Sequence, residues 1–202
     1  MKKIIIFVFT IIIFSAQEVY SIEKDKQYGF QDIPFGTPYN KVWGALAAKN
    51  VGLVHSSEND TTDTYFLYIE DYDLGGKEVK VTFYFDHNKE FYSFTFSTSK
   101  KNALRLESEV YIDGQYLTDV FTNKYGKPSR CYKPNILSIS MGYVSYLCVW
   151  NHKSLEIYTG LTEYESEYYA VAIITSKKME KAYVQRKEQK LKKDATEGAK
   201  KF

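Results

Sequence analysis

The sequence predicts an α+β fold built from two tandem units, each a helix followed by a three-stranded antiparallel meander, with helices on one face of the antiparallel sheet and one more helix at the C-terminus. Three observations carry this expectation. Residues 77–85 alternate, with Val79, Val81, Phe83 and Phe85 on one side and Lys80, Thr82 and Tyr84 on the other, the period of a half-buried strand. Turn chemistry separates such runs, at Leu74-Gly75-Gly76 and Asp86-His87-Asn88. The order of helix then strands also occurs twice, over about 28–99 and 102–176. One such unit is marginal alone, and pairing two buries a common core. The pattern is compatible with one shared sheet or with two.

The first element is a leader rather than part of the fold. Lys2 and Lys3 precede an apolar run over 4–14, followed by a small-residue stretch ending at Ser21. These are the three parts of a secretory signal peptide. The run falls short of the roughly 18–20 residues that cross a bilayer. Val19 and Ser21 fit the cleavage site, so residues 1–21 are expected to be removed, with Ala16 as the second candidate site. The remaining chain is expected to be exported, periplasmic or secreted, with the α+β domain over 22–176 and a basic helical tail over 177–202.

The first helix is expected to begin with Thr37 as cap and Pro38 in its first position. Val42, Leu46 and Trp43 supply its inner face, and Asn50 and Gly52 end it. A polar loop over 56–63 leads to strands near 64–71, 77–85 and 90–98. In the second unit Leu106, Val110, Leu117, Val120 and Phe121 form a helical stripe with a break expected at Asp113-Gly114. Lys124-Tyr125-Gly126-Lys127-Pro128 stops it with a basic last turn, a glycine and a proline. Strands are expected near 141–150, 154–161 and 167–175. The tail is rich in Lys, Glu, Gln and Ala, with Met179, Tyr183 and Leu191 as a thin apolar stripe, and is expected to fray after Leu191.

The phrase Ile33-Pro34-Phe35-Gly36-Thr37-Pro38-x-x-Lys41-Val42, together with Phe121-x-x-Lys124-Tyr125-Gly126-Lys127-Pro128, resembles small exported bacterial proteins of unknown function. More distantly it is similar to the SmpA/OmlA outer-membrane assembly lipoproteins and to the β-lactamase inhibitory protein, both built from helix-plus-meander units. The resemblance covers about 28–176 and rests on capping and turn signals rather than active-site signatures. It implies protein–protein contact or envelope scaffolding. No cysteine follows the leader, so the lipid anchor of the lipoprotein group is not expected.

Cys131 and Cys148 are the only cysteines. In an oxidising compartment they are expected to form a disulfide, the alternative being two buried thiols. Two Cys without finger-spaced His do not make a zinc site, and the spacing is not that of a redox C-x-x-C pair. The formal net charge of +2 is a cancellation. Residues 177–202 hold ten Lys/Arg and four acids, giving +6, while 22–176 hold 15 Lys/Arg and 20 acids, giving −5. The overall balance gives no case for nucleic-acid binding, although the tail suits an anionic surface or an acidic partner.

Candidate chemistry is sparse. His87 and His152 fall in expected hairpin turns, where Asp86 could join them only if the turns met around a metal. Gly75-Gly76 lacks the Lys-Ser/Thr and helix of a phosphate loop. The acids Glu70, Asp71, Asp73 and Glu78 surround the same turn, and alternation scatters them over both faces. No catalytic residue, metal site or cofactor is expected. The better lead is aromatic: 19 Tyr among 202 residues. Tyr84, Tyr92, Tyr143, Tyr158 and Tyr168 (or its neighbour Tyr169) fall in expected strands, and some must point away from the helices. Such residues supply rigid contact area with a polar tip. The leading expectation is a non-enzymatic exported module that binds a protein or envelope component. The alternative is an envelope-polymer hydrolase using acids at 70–73 or the Asp86-His87 pair.

Overall fold

The computed structural model describes residues 29–59 and 64–200. The expected leader over 1–21 and its cleavage point lie outside the described residues. Among the described residues eight strands form one sheet: β1 (Val54–Asn59), β2 (Thr64–Asp73), β3 (Glu78–Phe85), β4 (Phe91–Ser97), β5 (Arg130–Cys131), β6 (Ser145–Asn151), β7 (Leu155–Tyr164) and β8 (Glu167–Ser176). Their order is β1-β2-β3-β4-β8-β7-β6-β5, and every pairing is antiparallel. The two units therefore share one sheet. They meet last strand to last strand, with Phe94 opposite Ile174 and Thr95 opposite Ile173, so the halves are related by an approximate two-fold axis normal to the sheet.

Each meander has four strands rather than the expected three. Part of the polar run over 56–63 is edge strand β1, which pairs with β2 from Val54↔Ile69 to Asn59↔Thr64. An edge strand with one exposed face does not need an apolar run, because its backbone bonds to the neighbour whatever its side chains are. The two-residue β5 plays the matching part at the other edge.

Helices α1 (Tyr39–Ala48) and α2 (Tyr111–Tyr125) cover one face. Thr37 does not cap α1. Its hydroxyl donates to the Pro34 carbonyl at 2.7 Å, Pro38 occupies the cap position, and the Tyr39 N–H bonds the Lys89 carbonyl at 2.8 Å. The helix start is thus tied to the β3–β4 turn. The chain enters α2 through a 3-10 turn (Ala103–Arg105) and a π turn (Leu106–Val110), and runs without a break through Asp113-Gly114.

That dipeptide is a packing device. A Cβ at Gly114 would lie 2.5 Å from Leu147 Cδ1 and 2.8 Å from Leu161 Cδ2, so the bare backbone lets α2 settle on the sheet. Asp113 meets Lys77 at 2.5 Å. Gly126 ends α2 with φ +83°, a backbone that favours glycine, and its carbonyl accepts from Trp150 Nε1 at 2.7 Å. Between helices and sheet lies an aromatic core. Phe30 sits edge-on to Phe83 and Phe94, with ring centroids 4.9 and 5.5 Å away, and Val42, Leu46, Leu117 and Ile174 are fully enclosed around these rings.

Between β5 and β6 lies a short helix that the sequence does not predict, α3 (Ile136–Ser140), capped by the Asn135 side chain. The Cys131–Cys148 disulfide closes the base of this segment. Helix α4 (Lys177–Ala199) continues past Leu191 without the expected fraying, and its N-cap is Ser176.

Candidate functional site

Among the described residues, the face of the sheet away from α1 and α2 is open over most of its area. Strand alternation places Tyr68 of β2, Lys80, Thr82 and Tyr84 of β3, and Thr95 and Ser97 of β4 on it. Across the seam Tyr169 and Val171 of β8 and Tyr158, Thr162 and Tyr164 of β7 follow. Thr82, Thr95, Thr162 and Val171 are small and almost wholly covered, while the tyrosines between them stand up. The result is a trough with a low floor and phenolic walls, enclosing about 510 Å³ between Tyr84, Tyr164, Tyr169, Lys80 and Glu70.

The walls are held by ring and charge contacts. Lys80 Nζ lies 4.0 Å from the Tyr68 ring centroid and 2.9 Å from a Glu70 carboxylate oxygen, and the His55 ring stacks on Tyr68 with 4.9 Å between centroids. Lys100 sits over Tyr164 at 4.9 Å and pairs with Glu167 at 3.5 Å. Tyr146 meets Tyr158 edge-on at 4.7 Å. These contacts fix rings that would otherwise lose rotamer freedom on meeting a ligand.

Helix α4 covers one end of this face. Tyr183 stacks on Tyr92 at 5.2 Å and an interplanar angle of 13°. Arg186 reaches Asp86, which is fully buried, and Glu90 at 3.3 Å. Asp86 Oδ1 also accepts the N–H groups of Asn88 and Glu90, each at 2.9 Å. Asp86 is therefore the anchor of a turn and of a helix. Burial pushes the Tyr92 phenol up to about 12, helped by Tyr183, Tyr84, Glu180 and Asp86 nearby. Burial likewise raises Tyr158 and Tyr169. Glu180 is raised by burial and then by Glu156.

The raised Tyr92 makes a pH prediction. Above pH 10 the unfolded phenol ionises, whereas the folded one keeps its proton until about 12. The unfolded state then holds fewer protons, so stability falls as pH rises through that window. Urea midpoints measured across it should drop, and Tyr92→Phe should flatten the drop.

The sequence-predicted tyrosines separate into three groups. Tyr84 and Tyr158 stand on the open face, and Tyr92 does too but lies under Tyr183. Tyr168 points to the helix side, packed against the core, and its backbone bridges Lys101; its neighbour Tyr169 takes the open face. Tyr143 lies before β6 rather than in a strand and is 62% exposed. The strand that the run over 141–150 suggests begins only at Ser145, because Met141 caps the end of α3 and Gly142 turns the chain at φ +77°. Tyr146, Tyr164 and Tyr68 belong to the face and were not singled out by sequence, although their alternation with Leu161 and Leu67 carries the signal.

Glu70, Asp71 and Glu78 line one side of the trough, beside Lys80 and Lys100, and Asp73 and Asp86 lie apart from them in turns. Glu70 is paired with Lys80, and Asp73 Oδ1 accepts the Gly76 N–H at 2.5 Å within its turn. His87 faces Tyr183 at 6.4 Å, and His152 Nδ1 lies 3.3 Å from Ser154 Oγ. Among the described residues no group of three or more His, Cys, Asp or Glu is placed to hold a metal ion. No described helix is long and apolar enough to cross a membrane, and a formed disulfide is the mark of a non-reducing compartment. In comparisons with protein-family models, curated proteins and solved structures, the chain matches none.

Proposed function

We propose that the chain is an exported, non-enzymatic binding module that recognises a protein or other envelope component through its open sheet face. The observation that carries this reading is the trough lined by Tyr84, Tyr164 and Tyr169 on a face that α1 and α2 leave uncovered. Tyrosine gives large amphipathic contact at low entropic cost, the composition of interface hot spots. The flanking Lys80, Lys100 and Glu70 add polar groups that fix register. The leader and the disulfide together favour export. Of the carboxylates considered for hydrolysis, Glu70 is engaged in an ion pair and Asp73 and Asp86 in turn or helix anchoring, which favours binding over acid–base chemistry.

The test is capture of partners from the chain's own cell envelope, followed by titration with the captured partner. Tyr84→Ser combined with Tyr169→Ser should weaken binding by roughly 30-fold or more, about 1–2 kcal/mol for each hot-spot side chain, while the urea midpoint stays near that of the parent. Undiminished capture by the folded double variant would reject the face as the binding site.

A further inference from the structure

We infer that the segment between β5 and β6 is a preformed tip that docks on the surface of an anionic lipid bilayer. This surface is separate from the tyrosine trough and does not depend on the trough's role. Ile136, Leu137, Met141 and Tyr143 are 58%, 69%, 61% and 62% exposed within a few residues of one another, with Tyr132 beside them. Scattered exposed apolar side chains are ordinary, but a cluster of large ones marks a contact surface.

The tip is rigid. The Cys131–Cys148 disulfide closes its base, and Tyr132 N–H bonds the Leu147 carbonyl at 2.8 Å. The Asn135 N–H donates to Ser145 Oγ at 2.7 Å, and Asn135 Oδ1 accepts from Leu137 and Ser138 N–H. The Tyr143 N–H returns to the Ser138 carbonyl at 3.0 Å. Only Ile139 turns inward to the core. This arrangement holds its neighbours outward at a cost in exposed apolar surface that nothing among the described residues recovers.

Shape and charge together select a bilayer. Side chains this exposed form a protrusion rather than a groove, and lipid accepts protruding apolar groups without a shaped receptor. Arg130 and Lys133 flank the protrusion, with Arg130 5.7 Å from the Tyr132 ring centroid. No Asp or Glu occurs anywhere from Val120 to Leu155, although the chain has 25 acids. Two acids border the segment from other elements: Glu163 of β7, whose carboxylate accepts the Ser166 N–H, and Asp119 of α2, which lines a cleft with Cys131 and Tyr132 at its base. Apolar and tyrosine side chains flanked by cations are the composition of an interfacial anchor at an anionic membrane. The tip adjoins the Leu161 end of β7, whereas α4 starts beside Leu155. The basic helix and the tip are thus at opposite ends of the sheet, and their contributions can be separated.

The experiment is co-sedimentation of residues 22–202, which retain every described residue, with vesicles of mixed phosphatidylglycerol and phosphatidylcholine and with phosphatidylcholine alone. Partition onto the anionic vesicles is expected, weaker by roughly 30-fold on the neutral ones, about fivefold for each of two cations near the surface. Leu137→Glu with Met141→Glu should reduce partition more than about tenfold while leaving the thermal midpoint unchanged. Tyr143→Trp, in the otherwise unaltered chain, should shift the indole emission to the blue on adding anionic vesicles, and this reporter stands even if the double variant folds poorly. Absence of partition, an unshifted emission from the Tyr143→Trp variant, or partition undiminished in the folded double variant would overturn the assignment, the last handing the contact to α4. Loss of self-association in the double variant without any vesicle binding would overturn it too, in favour of a contact between copies.

Discussion

Asp86→Ala is expected to lower the free energy of unfolding by about 4 kcal/mol, the largest loss expected from a single polar side chain in this fold. The carboxylate is fully buried at the β3–β4 turn. One oxygen accepts two backbone N–H groups, from Asn88 and Glu90, and the other meets Arg186 of α4. Removing it strands two N–H donors and a partly buried guanidinium at once. Arg186 already has its Nε buried without a hydrogen-bond partner, and after the loss of Asp86 its remaining carboxylate partner is Glu90. Asp86→Asn should lie between parent and alanine variant, because an amide oxygen can still accept the turn N–H groups. Urea midpoints of the three proteins give the comparison. A midpoint for Asp86→Ala equal to the parent's would mean that the turn and α4 are not joined in solution. Amide exchange should also show α4 opening in the variant well before the sheet.

Replacing Cys131 and Cys148 together by Ala should cost about 3 kcal/mol, the chain-entropy value for a loop of this size. The bridge joins directly opposed residues of β5 and β6, 17 positions apart in sequence. Its loss should be local as well as global. β5 has only two residues, so without the bridge little keeps it on the sheet edge, and the tip it supports should lose its fixed shape. Reductant added to the unaltered chain should produce the same change in midpoint, with amide protection lost first over 130–147 and retained in β3, β4, β7 and β8. A midpoint insensitive to both reductant and substitution would contradict the bridge.

Side-chain periodicity made the inner strands legible. Val79 to Phe85 alternate because one face of β3 meets the core and the other meets solvent, and this pattern survives in the one-dimensional sequence. Elements with other sources of stability were hidden. β1 is held by backbone bonds to β2, and α3 is too short to show a period, with only Ile139 buried. Asp113-Gly114 reads as a helix break because glycine and aspartate are poor helix formers. The reason they stand there is the approach of Leu147 and Leu161, residues far away in sequence. The same limit applies to the tyrosines. Alternation identifies a face pair, as with Tyr168 and Tyr169, but which of the two looks inward depends on where the helices lie. The anchoring role of Asp86 was invisible for a similar reason, since its partner Arg186 is 100 positions away.

The union of the two meanders through β4 and β8 sets an order of events during folding. The first meander and α1 are complete in sequence by Ser97, yet β4 remains an open edge until β8 arrives, with Ser93 and Thr175 at one end of the seam. β8 is the last strand made. A chain emerging from its N-terminus therefore carries half a core and an unpaired edge from Ser97 until Ser176 is delivered, and such edges seek strands on other chains. The seam contacts span about 80 positions and close large loops, which slows the final step. A protein wired in this way profits from being kept unfolded until its last strand is delivered, and two chains held together too early could exchange halves across the same seam.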